Sequence, residues 1–104
     1  MIYIDGSHLY EDVFVDAYYA SRLLSEGGVV AFDDCRDPNV AKVIRFLRRN
    51  LPGSLAELEL SPYRADQGKV LKYRLARMMG RTQMAAFRRI GDVSRPWNAP
   101  FQNF

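Results

Sequence analysis

The amino-acid sequence predicts an α/β protein with a mostly parallel sheet of about four strands and flanking helices. Two observations lead to this fold class. Short apolar runs that end in turn residues alternate with stretches whose apolar residues recur at helical spacing, which gives the element order β-α-β-α-β-α-β. The chain has 104 residues, enough for one domain with its own hydrophobic core.

The first strand–helix–strand unit is predicted from residues 1–32. The apolar run Ile2–Ile4 ends in a turn, and Val29–Phe32 is a second short apolar run. Between them, apolar residues at helical spacing predict a helix over residues 8–25, with Ser7 as its N-cap and a stop at Gly27. A connection of this length joins parallel strands, so we expect a βαβ unit.

The rest of the chain predicts two further helices and two further strands. Asp37 followed by Pro38 is typical of a helix N-terminus, and the helix should end at Pro52. An alternating stretch over residues 55–60 predicts a strand with one solvated face. A third helix is expected over residues 67–79 and a last strand over 82–90, followed by an irregular tail.

Composition excludes several classes of protein. Hydrophobic residues make up 48% of the chain and charged residues 26%, which excludes intrinsic disorder. The single cysteine, Cys35, excludes an internal disulfide and is typical of the reducing cytoplasm, where we expect this protein. No apolar run is long enough to cross a membrane and the first residues do not form a signal peptide, so no membrane association is expected.

The charge is distributed unevenly along the chain. Residues 1–37 carry a net charge of −6, whereas residues 64–91 carry +7. The basic stretch is interleaved with Tyr63, Tyr73 and Phe87, a pattern that could bind a single-stranded nucleic acid. The acidic N-terminal part would repel phosphate, and basic helix faces are usually only solvated, so nucleic acid is the least favoured partner.

Acidic residues follow both strands of the predicted βαβ unit. Asp5 comes directly after the first strand, and Asp33 and Asp34 follow the second. Ligands of parallel sheets bind at these carboxyl ends, and clustered carboxylates repel one another unless a cation such as Mg²⁺ joins them. His8, the single histidine, could serve there as a general base. The alternative is that the acids are turn or cap residues and that His8 is solvated.

Two segments together resemble a known family. They are IYIDGSHLYEDV, residues 2–13, and LLSEGGVVAFDD, residues 23–34. At this separation they resemble class I S-adenosylmethionine-dependent methyltransferases, in particular the small-molecule O-methyltransferase-like branch. The later helix and strands are similar to the rest of that fold. The resemblance implies that residues 1–104 are a single partial domain, the C-terminal half of a Rossmann-like methyltransferase fold from its fourth strand onward.

The resemblance also implies an activity and its residues. The cofactor would be S-adenosylmethionine, and the reaction would be methyl transfer to a hydroxyl of a small molecule. Asp5, Asp33 and Asp34 would be the ligands of a divalent metal such as Mg²⁺, and His8 would deprotonate the substrate hydroxyl. Cys35 is expected to be a small buried residue and not a nucleophile.

One departure from the family pattern affects the expected partners. A complete methyltransferase carries a glycine-rich loop that holds the cofactor, and no G-x-G sequence occurs in this chain. We therefore expect the isolated chain to be inactive and to act as a homodimer or with a complementing N-terminal half. The alternative function is a non-catalytic interaction module that dimerises through an exposed sheet edge.

Overall fold

A computed structural model describes residues 1–60 and 83–104, which form a four-stranded sheet and two helices. The elements are β1 Ile2–Ile4, α1 Tyr10–Leu23, β2 Val29–Phe32, α2 Pro38–Asn50, β3 Leu55–Glu57 and β4 Ala85–Arg89. The helix expected over residues 67–79 lies outside the described residues. Neither α1 nor α2 is long and apolar enough to cross a membrane.

The sheet is mixed, which corrects the expectation of a mostly parallel sheet. Its strand order is β1-β2-β4-β3. β1 and β2 are parallel, as the βαβ unit predicts, but β4 runs antiparallel to both β2 and β3. Hydrophobic patterns identify β4 as a strand but do not encode its direction. β4 lies between β2 and β3, which point the same way, and runs opposite to both.

The main core lies between the two helices and one face of the sheet. One apolar cluster joins residues of all six elements, including Val13 of α1 and Val43 of α2. At its centre, Phe32 and Phe87 from neighbouring strands meet edge to face, with ring centroids 6.2 Å apart. Each ring is 1% exposed, and burying such a side chain contributes about 1.5–3 kcal/mol.

The start of α1 differs from the prediction. The helix begins at Tyr10, and its N-cap residue is Leu9, which makes no side-chain capping bond. Ser7 Oγ instead accepts a hydrogen bond from the backbone N–H of Leu9 at 3.1 Å, two residues away. His8 therefore lies in the loop before α1 and not on its first turn.

The end of α1 and the start of α2 are held by side chains. Arg89 of β4 donates a hydrogen bond to the backbone carbonyl of Leu24, where a cation is favourable to the helix dipole. At the other helix, Asp37 accepts hydrogen bonds from the backbone N–H groups of Asn39 at 2.8 Å and Val40 at 3.4 Å. The predicted Asp37 cap is thus confirmed.

The C-terminal tail has no regular secondary structure, as expected, but it packs on α2. The Asn50 amide donates to the Gln102 carbonyl at 2.9 Å and accepts from the Gln102 N–H at 2.9 Å. Phe46 contacts Phe104 edge to face, with ring centroids 5.6 Å apart. The tail therefore covers part of the α2 surface.

Candidate functional site

The predicted site residues come together where β1 and β2 end. Ile4 pairs with Phe32 in the parallel register, and the Asp33 N–H donates to the Ile4 carbonyl at 3.0 Å. The chain therefore leaves both strands at the same edge. A shallow cleft opens there, lined by Ile4, Asp5, Gly6, Ser7, His8, Val13, Phe32, Asp33, Asp34 and Val40. All four residues predicted for the site, Asp5, His8, Asp33 and Asp34, contribute to this lining.

Asp33 is half-buried and accepts hydrogen bonds from side chains of β1 and of the segment before β4. The phenol of Tyr3, on β1, donates to Oδ2. The side-chain amide of Gln83, two residues before β4, donates to Oδ1 at 2.9 Å. The backbone N–H of Asp34 donates to the same Oδ1 at 2.8 Å. Asp33 therefore joins β1 to the segment before β4.

The Tyr3 phenol is sensitive to the neighbouring negative charge. Its hydrogen bond to Asp33 is the largest of the effects that raise the pKa of Tyr3 from 10.0 to about 12. The charges of Asp33, Asp5 and Asp34 act in the same direction, because ionising the phenol would add another negative charge near them. Tyr3 therefore stays a neutral donor at physiological pH.

Asp34 connects the acid pair to His8. Its backbone φ is +52°, a left-handed conformation that Asp tolerates better than most residues. Its two carboxylate oxygens have different partners. Oδ1 accepts from the Gln83 amide at 2.6 Å, and Oδ2 lies 3.1 Å from His8 Nε2.

His8 is held by carboxylates at both ring nitrogens. Nδ1 lies 3.3 Å from Asp37 Oδ2, and the His8 carbonyl accepts a hydrogen bond from the Asn39 side chain at 2.8 Å. The side chain is 54% exposed. A protonated ring donates to Asp34 and Asp37 together, whereas a neutral ring donates to one of them and leaves a nitrogen that can accept a proton.

Asp37 has two roles at this site. The backbone N–H groups of Asn39 and Val40 and the neighbouring His8 hold the pKa of its carboxyl below 3.8, with the Asn39 N–H contributing most. The same carboxylate therefore caps α2 and orients His8. The sequence prediction found only the cap, because Asp37 and His8 are 29 positions apart.

The acid cluster does not fit a divalent metal in this arrangement. Within the two described segments, no three carboxylate, histidine or cysteine side chains are placed to hold a metal ion. Oxygens of Asp33 and Asp34 that would bind a cation accept hydrogen bonds from Tyr3 and Gln83. The assignment of Asp5, Asp33 and Asp34 as metal ligands therefore rests on the clustering of acids in the sequence and on the family resemblance.

Cys35 lies beside the site but does not take part in it. The side chain is 4% exposed, and its thiol donates to the Phe32 carbonyl at 3.5 Å. Burial raises the pKa of the thiol to about 12, so the reactive thiolate is absent at neutral pH. The expectation of a small buried residue is confirmed.

The sequence prediction missed Tyr3 and Gln83. Tyr3 carries a weak signal, because it alternates with Ile2 and Ile4 and therefore projects from the opposite face of β1. Gln83 lies 50 positions from Asp33 and within the predicted last strand. No local pattern connects them; their contact follows from placing β4 next to β2.

Comparison with known protein families gives a match to the segment that carries the candidate site. Residues 1–35 match the family model of the methyltransferase domain. The match spans β1, α1 and β2, and it includes the four residues predicted for the site. It supports a methyltransferase domain. Neither a search of curated proteins nor a search of solved structures gives a match.

Proposed function

We propose that this chain is part of a methyltransferase that transfers a methyl group from S-adenosylmethionine to a hydroxyl of a small molecule. One observation carries the proposal. The segment that matches the methyltransferase domain is also the βαβ unit that brings Asp5, His8 and the two later acids to one cleft. The resemblance assigns the hydroxyl-specific chemistry to this branch of the family.

His8 is the proposed general base. When bound, S-adenosylmethionine supplies the electrophilic methyl group. His8 accepts the proton of the attacking substrate hydroxyl at the ring nitrogen that is not donating, where the hydroxyl takes the place of the neighbouring carboxylate, while the other carboxylate orients the ring. The new imidazolium then donates to both carboxylates, and its exposed ring can return the proton to water. No metal is needed for this proton transfer.

Cofactor binding requires a partner under this proposal. The glycine-rich loop that holds S-adenosylmethionine in the family does not occur in this sequence. We propose that a complementing N-terminal half supplies it, and that the isolated chain binds the cofactor weakly or not at all.

The free edge of β1 is the proposed partner surface. Within the described part of the sheet, β1 pairs only with β2. A shallow, open groove lies along the other side, where Tyr3, Tyr19 and Leu23 are 49%, 59% and 76% exposed. Unpaired strand edges beside apolar side chains accept an additional strand. A complementing half or a second copy would bury them there.

The same edge supports the second candidate function, a non-catalytic interaction module. In that case the chain dimerises through β1 and binds no cofactor, either alone or with a complementing half. The two functions differ in whether His8 matters, because only the enzyme uses a proton acceptor at the cleft.

Methyl transfer from isotopically labelled S-adenosylmethionine to catechol, phenol and simple alcohols tests the proposal. The chain is assayed alone and co-expressed with the polypeptide encoded directly upstream. We expect transfer only in the combined sample, and a loss of about 10²–10⁴-fold in His8→Gln. Asp12→Asn, at an exposed acid of α1, is the control. A combined sample that binds no cofactor would favour the interaction module.

A further inference from the structure

Gln83 lies where two carboxylates converge. Its side-chain nitrogen donates to Asp33 Oδ1 at 2.9 Å and to Asp34 Oδ1 at 2.6 Å. An amide NH₂ group has two hydrogens, so one is available for each carboxylate. The orientation of the amide is fixed chemically, because ionised carboxylates only accept hydrogen bonds and its oxygen would be repelled by both.

The backbone fixes Gln83 in this place. Its carbonyl accepts a hydrogen bond from the Cys35 N–H at 2.9 Å, directly after the acid pair. Two residues later, Ala85 starts β4 and pairs with Phe32 at the end of β2. The amide is therefore tied to the loop after β2 by both main chain and side chain, which limits the entropy lost when it bridges the carboxylates.

The Gln83 amide reduces the repulsion between the two carboxylates, as a bound cation does in metal sites. Two adjacent carboxylates repel each other, and this repulsion is reduced when a positive ion or shared N–H groups lie between them. At this site the shared group is neutral and belongs to the chain. It holds Asp34 Oδ1, which leaves Oδ2 directed at His8 Nε2, 3.1 Å away.

We propose that Gln83 is a positioning residue that bridges Asp33 and Asp34 in place of a divalent cation and keeps Asp34 directed at His8. The part of this role that concerns His8 rests on the proposed function. The bridge itself does not rest on the proposed function, because it requires only that an amide, and no bound metal, holds the acid pair together.

The bridge is tested by replacing the amide with groups of similar size. Gln83→Leu removes both donors, and Gln83→Glu puts a third carboxylate at the same position. Thermal unfolding is measured for the parent and both variants with Mg²⁺, with Mn²⁺ and with a chelator. Tb³⁺ luminescence, excited through tyrosine, reports ion binding directly, because Tyr3 contacts Asp33.

We expect the melting temperature of the parent to be independent of either ion. Gln83→Leu and Gln83→Glu should melt several degrees lower in chelator, and Mn²⁺ should recover part of the loss because the ion takes the place of the amide. In Gln83→Glu, Tb³⁺ luminescence should rise well above that of the parent. Gln102→Leu, in the exposed tail, is the matched control and should behave like the parent.

A second variant keeps the test decisive if Gln83→Glu does not fold. Adding Asp33→Asn to Gln83→Leu removes one of the two charges, so the double variant should regain stability in chelator and lose its response to Mn²⁺. Stabilisation of the parent by Mg²⁺ or Mn²⁺ that disappears in Asp33→Asn would overturn the proposal. So would a Gln83→Leu variant that melts like the parent. Neither measurement involves methyl transfer, so the bridge and the proposed function can fail separately.

Discussion

The phenol of Tyr3 donates a hydrogen bond to the carboxylate of Asp33 across the parallel pair β1 and β2. The contact joins the strand that starts the chain to the acid pair at the end of its neighbour. Tyr3 is therefore part of the candidate site, although it lies in the middle of a strand and its ring is 49% exposed.

The first prediction concerns the ionisation of Tyr3. The folded protein raises the pKa of this phenol from 10.0 to about 12, chiefly through Asp33. The stabilisation from this contact is therefore complete below pH 10.0 and is lost as the pH rises towards 12. Carbon NMR of the labelled tyrosine ring should show the late titration, and Asp33→Asn should move it back towards 10.0.

Unfolding at alkaline pH provides the matching control. In Tyr3→Phe the part of the stability change that comes from Tyr3 between pH 10.0 and 12 should be absent. Tyr19→Phe removes a hydroxyl from another exposed tyrosine, on α1, and should show the same alkaline stability change as the parent. If Tyr3 titrates at its ordinary pKa in the folded parent, the hydrogen bond to Asp33 does not persist in solution.

The second prediction concerns acid sensitivity at the α2 cap. The Asn39 and Val40 N–H groups and His8 lower the pKa of Asp37 below 3.8. The folded state therefore binds the proton less tightly than the unfolded chain. The stabilisation is present above pH 3.8 and is lost as the pH falls through the lower folded pKa.

Two substitutions separate the charge of Asp37 from its capping geometry. Asp37→Ala should lower the melting temperature by a few degrees at neutral pH, because the cap is lost. Asp37→Asn should lose less at neutral pH, because Asn also caps helices, and should show a weaker change below pH 3.8. Equal acid sensitivity of Asp37→Asn and the parent in thermal unfolding would show that other groups control it.

Local patterns were sufficient to predict β1, β2 and α2, because each is a short apolar run or amphipathic stretch bounded by a clear turn or cap. The βαβ connection predicted that both strands end at the same edge of the sheet. Around the cleft at that edge lie Asp5, His8, Asp33 and Asp34. The same reasoning misplaced the start of α1, where Ser7 forms a local turn with Leu9 instead of a helix cap.

Features that depend on long-range pairing could not be predicted. The hydrophobic pattern of β4 does not encode its direction, and Gln83 reaches the acid pair because the start of β4 pairs with the end of β2. Helical spacing alone places Arg48 on the solvated side of α2, and the residue is exposed there. Its ion pair with Glu57 of β3 is a contact between distant parts of the chain that no helical pattern encodes.

The third prediction concerns that ion pair. Arg48 Nε and Nη2 donate to the two carboxylate oxygens of Glu57 at 2.7 Å and 2.6 Å, which joins α2 to β3. The side chains are 36% and 23% exposed, so water screens part of the interaction. A double-mutant cycle with Arg48→Lys and Glu57→Gln should give a coupling energy of about 1 kcal/mol in urea unfolding.

Arg45 provides the control for the third prediction. It is exposed on the same helix, and Arg45→Lys should leave the free energy of unfolding nearly unchanged. Lysine retains the charge of Arg48 but cannot form two parallel hydrogen bonds. A coupling energy near zero would mean that the paired geometry adds nothing beyond charge.

The fourth prediction concerns the free edge of β1. The Ile4 carbonyl accepts from Asp33 and so points towards β2, which directs the backbone groups of the preceding Tyr3 to the opposite side, where residues 1–60 and 83–104 supply no pairing strand. Leu23, which is 76% exposed on the last turn of α1, lines the groove beside this edge. Association through the edge should therefore bury Leu23.

Sedimentation equilibrium of the parent should show dimers at micromolar concentrations if a second copy occupies the edge. Leu23→Asp places a charge in the buried interface, beside the acidic Asp5 and Asp16 that also line the groove, and should shift the equilibrium to monomer. Trp97→Ser removes a larger apolar side chain that is 97% exposed and does not line this groove, so it should leave dimerisation intact.

If the parent stays monomeric but Leu23→Asp prevents complementation by the upstream polypeptide, the edge belongs to the N-terminal half. A parent that neither dimerises nor complements would show that the edge of β1 is not a partner surface.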